Sequence, residues 1–180
     1  MSNKILAAAP YKILRHILNS SGIERFPHAQ YDMARLGIGL YGISAIDQKN
    51  VKQVSTLKTV ILQIKQIDTN ETVGYSRHFR ATKPTSIGII PIGYADGLHR
   101  LLGNGVGKVM VNNSLAPIIG NICMDMSIID LTDLEAHEGD EVIIFGDQYP
   151  ITELASQMNT IPYEVLTSIS QRVKRIYFHE

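Results

Sequence analysis

Tyrosine, arginine, serine and glycine carry whatever chemistry this chain can do, and none of them declares it alone. Tyr75 and Tyr94 are phenols within two short motifs, VGYSRHF (73–79) and GYADG (93–97). A free phenol has a pKa of about 10, so a tyrosine that moves protons near neutrality needs neighbours that favour phenolate. Without them it is an ordinary strand-edge residue. Arg35 stands just before a glycine-rich run, GIGLYG (37–42). Glycine lets a backbone approach a ligand closely, and successive amides can cradle an anion. Taken singly, Arg35 is a solvated helix-end charge and GIGLYG a turn. The six histidines, at 16, 28, 78, 99, 137 and 179, show no metal-ligand spacing. No nucleophile–His–Asp pattern emerges, and nothing resembles the phosphate loop of NTPases.

The elements that must position these residues fall into two textures. Residues 1–45 read as helix, strand and helix pieces. Ala7 to Ala9 favour helix and Pro10 breaks it, Lys12 to Leu18 is strand-like, and Asn19-Ser20-Ser21-Gly22 signals a turn. Glu24 to Ala34 is expected to be helical, with Pro27 in its first turn. This β-then-α order is what a late piece of an α/β barrel of the TIM type leaves, and a whole barrel needs about 250 residues.

Residues 46–180 are β-rich. Candidate strands run over 54–67, 85–92, 106–111, 115–119, 126–131, 141–145 and 172–178, with many Ile and Val. Asn112-Asn113 fits a tight hairpin because Asn tolerates positive φ, and Glu138-Gly139-Asp140 reads as a turn. Two short helices are expected, one capped by Thr152 and reaching Met158, the other capped by Thr160 with Pro162 and Glu164 in its opening turn. The fold class is therefore mainly β, a barrel or sandwich-like domain over 46–180, preceded by a barrel remnant over 1–45.

Composition narrows the function classes. Lys plus Arg equals Asp plus Glu at 17 each, so a basic footprint for nucleic acid is absent. A single cysteine, Cys123, excludes an intramolecular disulfide framework and suits a reducing compartment. No apolar run approaches the roughly 20 residues that span a bilayer, and no signal peptide is expected at the N-terminus.

Assembled in order, the motifs say more than they do singly. HILNSSG (16–22), YDMARLGIGLYG (31–42), VGYSRHF, GYADG, GNICMD (120–125), TIPYE (160–164) and QRVKRIY (171–177) together resemble the C-terminal part of an alanine racemase. The resemblance implies a homodimeric enzyme dependent on pyridoxal 5'-phosphate (PLP) that interconverts L- and D-alanine. An N-terminal barrel carries the PLP lysine, and a C-terminal β domain reaches the partner's site. None of the lysines here lies in the family's lysine motif, so this chain alone is expected to be inactive. The parent is expected to be cytoplasmic and bacterial, supplying D-alanine for peptidoglycan.

The same resemblance implies roles for individual residues. Racemisation needs a proton removed from one face of Cα and delivered to the other, which two acid/base groups on opposite sides accomplish most simply. The lysine serves one face and Tyr75 matches the tyrosine that serves the other, helped in the family by a barrel histidine absent here. Arg35 matches the residue facing the pyridine nitrogen; because an arginine keeps its proton, the ring stays a weaker electron sink. His16 matches a residue that braces that arginine. Ser20, Gly37 and Ile38 match phosphate ligands, as does the phenol of Tyr163. Met124 matches a backbone amide that meets the substrate carboxylate, Tyr94 narrows the site entrance, and Asp125 and Arg100 lie near it. Asn121 departs from the arginine that many relatives carry beside the ICMD run, which is expected to alter entrance polarity. The alternative is a non-catalytic β-barrel module that binds a small ligand or nucleic acid. Neutral charge and the match at 16–42, which a free-standing barrel would not need, count against it.

Overall fold

Ile and Val alternate with polar residues along much of the β-rich half, and each strand can bury one face only. The computed structural model, which describes residues 8, 10–44 and 46–178, divides into two compact units, 1–55 and 56–180. In the second unit the strands are β1 (Leu57–Val60), β2 (Gln63–Ile67), β3 (Thr72–Val73), β4 (Phe79–Arg80), β5 (Thr85–Ile90), β6 (Lys108–Val111), β7 (Ser114–Ile119), β8 (Ser127–Asp130) and β9 (Glu141–Phe145). Seven of them form one antiparallel sheet in the order β1-β9-β6-β7-β8-β5-β2. β3 and β4 form a separate two-stranded ribbon.

The run expected as one strand over 54–67 is two. It breaks at Ile61-Leu62, where the Ile61 amide donates to the Asp140 carbonyl and the Leu62 amide to the Ile89 carbonyl. Its first half pairs with β9 and its second with β5, so one bent stretch supplies both edges and the sheet curls back on itself. Inside lie Val109, Val111, Ala116, Ile118, Ile129, Val142 and Ile144, all fully buried and spaced two apart within their strands. Each large side chain of this kind contributes about 1.5–3 kcal/mol.

The Asn112-Asn113 hairpin forms as expected, with φ of 46° and 63°, closing β6 onto β7. Two helices follow β9, α2 (Ile151–Gln157) and α3 (Pro162–Ser168). Neither expected cap holds: Pro150 and Ile161 occupy the N-cap positions, and the Thr160 hydroxyl donates to the Glu164 carboxylate. The expected last strand, 172–178, has no ladder among the described residues. The Arg175 guanidinium is spent instead on the carbonyls of Ile169, Ser170 and Val173, and Phe178 is 87% exposed.

Among its described residues the first unit has an α-helix, α1 (Ser20–Arg25), and short 3-10 turns at Pro27–Ala29, Ile38–Tyr41 and Gln48–Asn50. The helix expected to run from Glu24 to Ala34 stops at Arg25. Phe26 precedes a proline, which disfavours helical backbone, and sits at φ −134°, ψ 59°; Tyr31 then takes φ 50°. The strand expected over 12–18 finds no ladder among the described residues; the Arg15 carbonyl accepts from the Asp32 and Met33 amides and the Leu18 carbonyl from the Arg35 amide. Of the expected 7–9 helix, only Ala8 is described, in a turn. The core of this unit is small, with Leu18, Ile38 and Ile43 buried while Leu14, Ile17, Leu36, Leu40 and Tyr41 are exposed.

Asp32 is a principal fastener of that unit. Its carboxylate accepts from the Arg15 side chain (Nε, 2.9 Å) and from the Arg15 backbone amide (2.9 Å), and the Arg15 guanidinium lies 5.1 Å from the Tyr31 ring centroid. The Arg15 side-chain bond, then the backbone bond, hold this carboxyl at about 2 against an ordinary 3.8. The folded value lies below the unfolded one, so the stabilisation is complete above about pH 4 and is lost as pH falls toward 2. We expect the Asp32 carboxyl resonance to titrate in that lower range and Asp32→Asn to lose the acid-sensitive step. Titration at the ordinary value would show that the pair does not hold in solution.

Candidate active site

The first unit gathers backbone amides around one buried hydroxyl. The Asn19 side chain accepts from the Gly22 amide (3.0 Å) and so starts α1, which seats Ser20 as its first residue. Ser20 is 3% exposed, and its Oγ accepts from the amides of Gly37 (2.9 Å) and Gly39 (3.2 Å). The hydroxyl proton is left to donate. At Gly39 the backbone passes so close that an added Cβ would meet Leu36 Cδ1 at 2.8 Å, with Ser20 Oγ next at 3.6 Å. Ile38 is buried between these glycines. A hydroxyl flanked by glycine amides is the kind of group that meets an anion. Arg35 is anchored on the neighbouring run, its amide donating to the Leu18 carbonyl (2.9 Å) and its Nη2 to the Ile17 carbonyl (3.3 Å). His16 is exposed and forms no hydrogen bond to Arg35 among the described residues.

The second unit brings its motifs together as loops at the strand ends. The Tyr94 amide donates to the Cys123 carbonyl (3.0 Å) and the Ala95 amide to the Met124 carbonyl (3.0 Å), so GYADG and GNICMD are zipped backbone to backbone. Gly93 allows it, since a Cβ there would fall 2.3 Å from the Cys123 carbonyl oxygen. Met124 is 53% exposed. Among the described residues its own amide donates to no acceptor. Tyr75 begins a 3-10 turn and is 74% exposed. Its carbonyl accepts from Asn121 Nδ2 (3.0 Å), which ties this loop to the Met124 loop.

Arg172 locks the two aspartates of the motifs, a role its place in the sequence does not reveal. Its Nε donates to Asp96 (2.7 Å) and its Nη2 to Asp125 (2.5 Å). Both carboxylates hold the guanidinium proton more tightly than usual, Asp96 first. Asp96 also accepts from the Gly93 amide (2.9 Å), and its carbonyl accepts from the Ser170 amide (3.0 Å). Asp125 is thus a brace of the Met124 loop. Tyr163, half-exposed in the first turn of α3, belongs to a helix whose far end fastens to the same loop through Ser168 Oγ and the Gly97 carbonyl (3.3 Å). Arg100 opens a 3-10 turn of its own and is not joined to these motifs by any side-chain hydrogen bond among the described residues. Its presence in QRVKRIY is the one sequence signal that points to Arg172.

Among the described residues, no group of three or more His, Cys, Asp or Glu side chains could hold a metal ion. None of their helices is long and apolar enough to cross a membrane.

Comparison with known proteins places this geometry. Residues 54–177 match the family described as alanine racemase, C-terminal domain, and residues 1–45 match alanine racemase, N-terminal domain. The alanine racemase of Helicobacter pylori (strain J99) is 42% identical over 177 residues, covering 91% of this chain and 47% of that protein. Alanine racemase 2 of Caldanaerobacter subterraneus subsp. tengcongensis is 42% identical over 175 residues, covering 92% and 45%. The crystal structure of alanine racemase from Bartonella henselae with covalently bound pyridoxal phosphate superposes with a TM-score of 0.89 at 37% identity, covering 98% of this chain and 50% of that one. The biosynthetic alanine racemase of Pseudomonas aeruginosa gives 0.87 at 32% identity, covering 98% and 51%. The chain spans about half the length of the curated relatives it matches.

Proposed function

The chain belongs to the alanine racemase family, and from that premise we propose that it is the C-terminal part of a PLP-dependent enzyme interconverting L- and D-alanine. The observation that carries the reading is the exposed phenol of Tyr75 tied through Asn121 to a loop whose Met124 amide is unspent. A proton-moving group and a carboxylate-binding donor are what an amino-acid racemase needs on one side of its substrate.

PLP, when bound, supplies the electron sink that lets a Cα proton leave. Tyr75 takes or returns that proton on one face, and the Met124 amide orients the substrate through its carboxylate. Ser20 donates its hydroxyl proton to the cofactor phosphate, with the Gly37 and Ile38 backbone beside it, and the Tyr163 phenol is a further phosphate ligand. Arg35 keeps its own proton at the pyridine nitrogen, and His16 lies on the run that carries it. Tyr94 narrows the entrance, with Arg100 and Asp125 near it. The enzyme works as a cytoplasmic homodimer, Tyr75 and Met124 serving the partner's cofactor, and its product enters peptidoglycan. Residues 1–45 end the cofactor barrel and 46–180 form the C-terminal β domain.

The test compares two proteins loaded with PLP, the full-length enzyme carrying this sequence and the 180-residue chain. The full-length enzyme should produce D-alanine from L-alanine and the reverse, and the chain alone should produce neither. Sustained turnover by the chain alone would overturn its reading as one part of the enzyme. A full-length enzyme inert toward both enantiomers would overturn the activity.

A further inference from the structure

The loop that carries Tyr75 is held in a conformation that its own sequence disfavours. Gly74 sits at φ 76°, and Ser76 and Arg77 follow at φ 62° and 52°. Left-handed backbone is unfavourable for a non-glycine residue, and it persists where surrounding structure over-determines it. Within the loop the Arg77 amide donates to the Gly74 carbonyl (3.2 Å), and the ladder of β3 with β4 fixes its two ends through Val73 and Phe79.

The rest comes from Gly120-Asn121. Asn121 Nδ2 donates to the Tyr75 carbonyl (3.0 Å), and Asn121 Oδ1 accepts from Asn104 Nδ2 (3.1 Å). Asn104 is itself fixed, its amide donating to the Gly120 carbonyl (2.8 Å). The two bonds define the amide's orientation, because a flip would set oxygen against the Tyr75 carbonyl and nitrogen against the Asn104 amide group. Backbones run close here too: a Cβ on Gly74 would lie 3.5 Å from the Asn121 nitrogen, and one on Gly120 would lie 3.3 Å from the Val73 carbonyl oxygen. One side chain therefore spans the loop of Tyr75 and the loop of Met124.

We propose that Asn121 is a positioning residue that sets the Tyr75 phenol relative to the Met124 amide, with Asn104 as its brace. This rests on the reading of Tyr75 as an acid/base group. Proton transfer is sensitive to such placement, since a shift of about 1 Å can cost on the order of 10²-fold.

Asn121→Asp keeps the size and the acceptor for Asn104 while turning an oxygen toward the Tyr75 carbonyl. In the full-length enzyme we expect kcat to fall about 10- to 100-fold with little change in KM for alanine. The Cα-deuterium isotope effect should rise for the enantiomer whose proton Tyr75 removes and stay unchanged for the other. In the 180-residue chain, hydrogen exchange at the Arg77 amide should accelerate. Asn104→Ala, which leaves the Tyr75 bond in place, should give a smaller effect of the same kind and serves if the aspartate variant does not fold. Unchanged kcat and exchange, or a uniform slowing with both isotope effects unaltered, would overturn the proposal. Tyr75→Phe in parallel separates the two ideas: full activity there refutes the acid/base reading, whereas its loss alongside a normal Asn121→Asp refutes only the positioning.

Discussion

Tyr75→Phe in the full-length enzyme should lower the rate of racemisation about 10²- to 10⁴-fold, the usual worth of a general acid/base group, and leave the fold intact. The phenol makes no hydrogen bond among the described residues and the ring is largely in solvent. Its removal therefore orphans no partner, and a surface change of this kind moves stability by about 0.5 kcal/mol or less. Activity and stability thus separate cleanly at this position. Enantiomers have equal free energies, so kcat/KM must fall equally in both directions; the directional signature is kinetic. With the phenol gone, Cα–H cleavage should become limiting for one enantiomer and its deuterium isotope effect should approach the intrinsic value. Racemisation at the wild-type rate from both enantiomers would assign the proton-moving role to another residue.

Gly93→Ala should be the most damaging single methyl in the β domain. The added carbon would sit 2.3 Å from the Cys123 oxygen, 2.4 Å from the Met124 oxygen and 2.5 Å from the Met124 carbonyl carbon. All three are backbone atoms, so no rotamer change relieves the clash. The loops must part, which stretches both the Tyr94–Cys123 and Ala95–Met124 bonds and moves the Met124 amide. Overpacking of this kind costs about 1–3 kcal/mol, and in a protein of this size each kcal/mol lowers Tm by about 2–4 °C. Calorimetry should show that drop, and the full-length variant should also lose most of its activity. An unchanged Tm would mean that the two loops do not meet as described.

Features set by local chemistry were readable in the residues. The Asn112-Asn113 turn needs only residues that tolerate positive φ, and the Ile/Val alternation needs only a buried face. The break at Ile61-Leu62 was not readable, because it is dictated by which partners each half finds, β9 and β5, far along the chain. Pro27 suits the first turn of a helix, and in the fold its effect on Phe26 ends α1 before that turn. At the site, Tyr75 and Ser20 became legible through motif resemblance and not through their types. The role of Arg172 is not legible in the sequence because its two carboxylates lie 76 and 47 residues away. Asn121 read as a change of entrance polarity; its bonds to Asn104 and the Tyr75 carbonyl exist only once three loops have been folded together.

The bent stretch that lends both edges to the sheet also sets the order in which the β domain can be made. β1 must wait for β9, because Leu57 pairs with Phe145 and Val60 with Glu141. The hairpin of β6 and β7 can form as soon as its own residues exist, on a timescale of about 1–10 μs, and β2 can join β5 soon after that strand appears. The seam along β1 is closed by non-local pairing, the slowest kind because it spends loop entropy before any contact rewards it. During synthesis the edge of β1 therefore stays unpaired until residue 145 has left the ribosome. Chains arrested before that point would expose a ready template for pairing with one another.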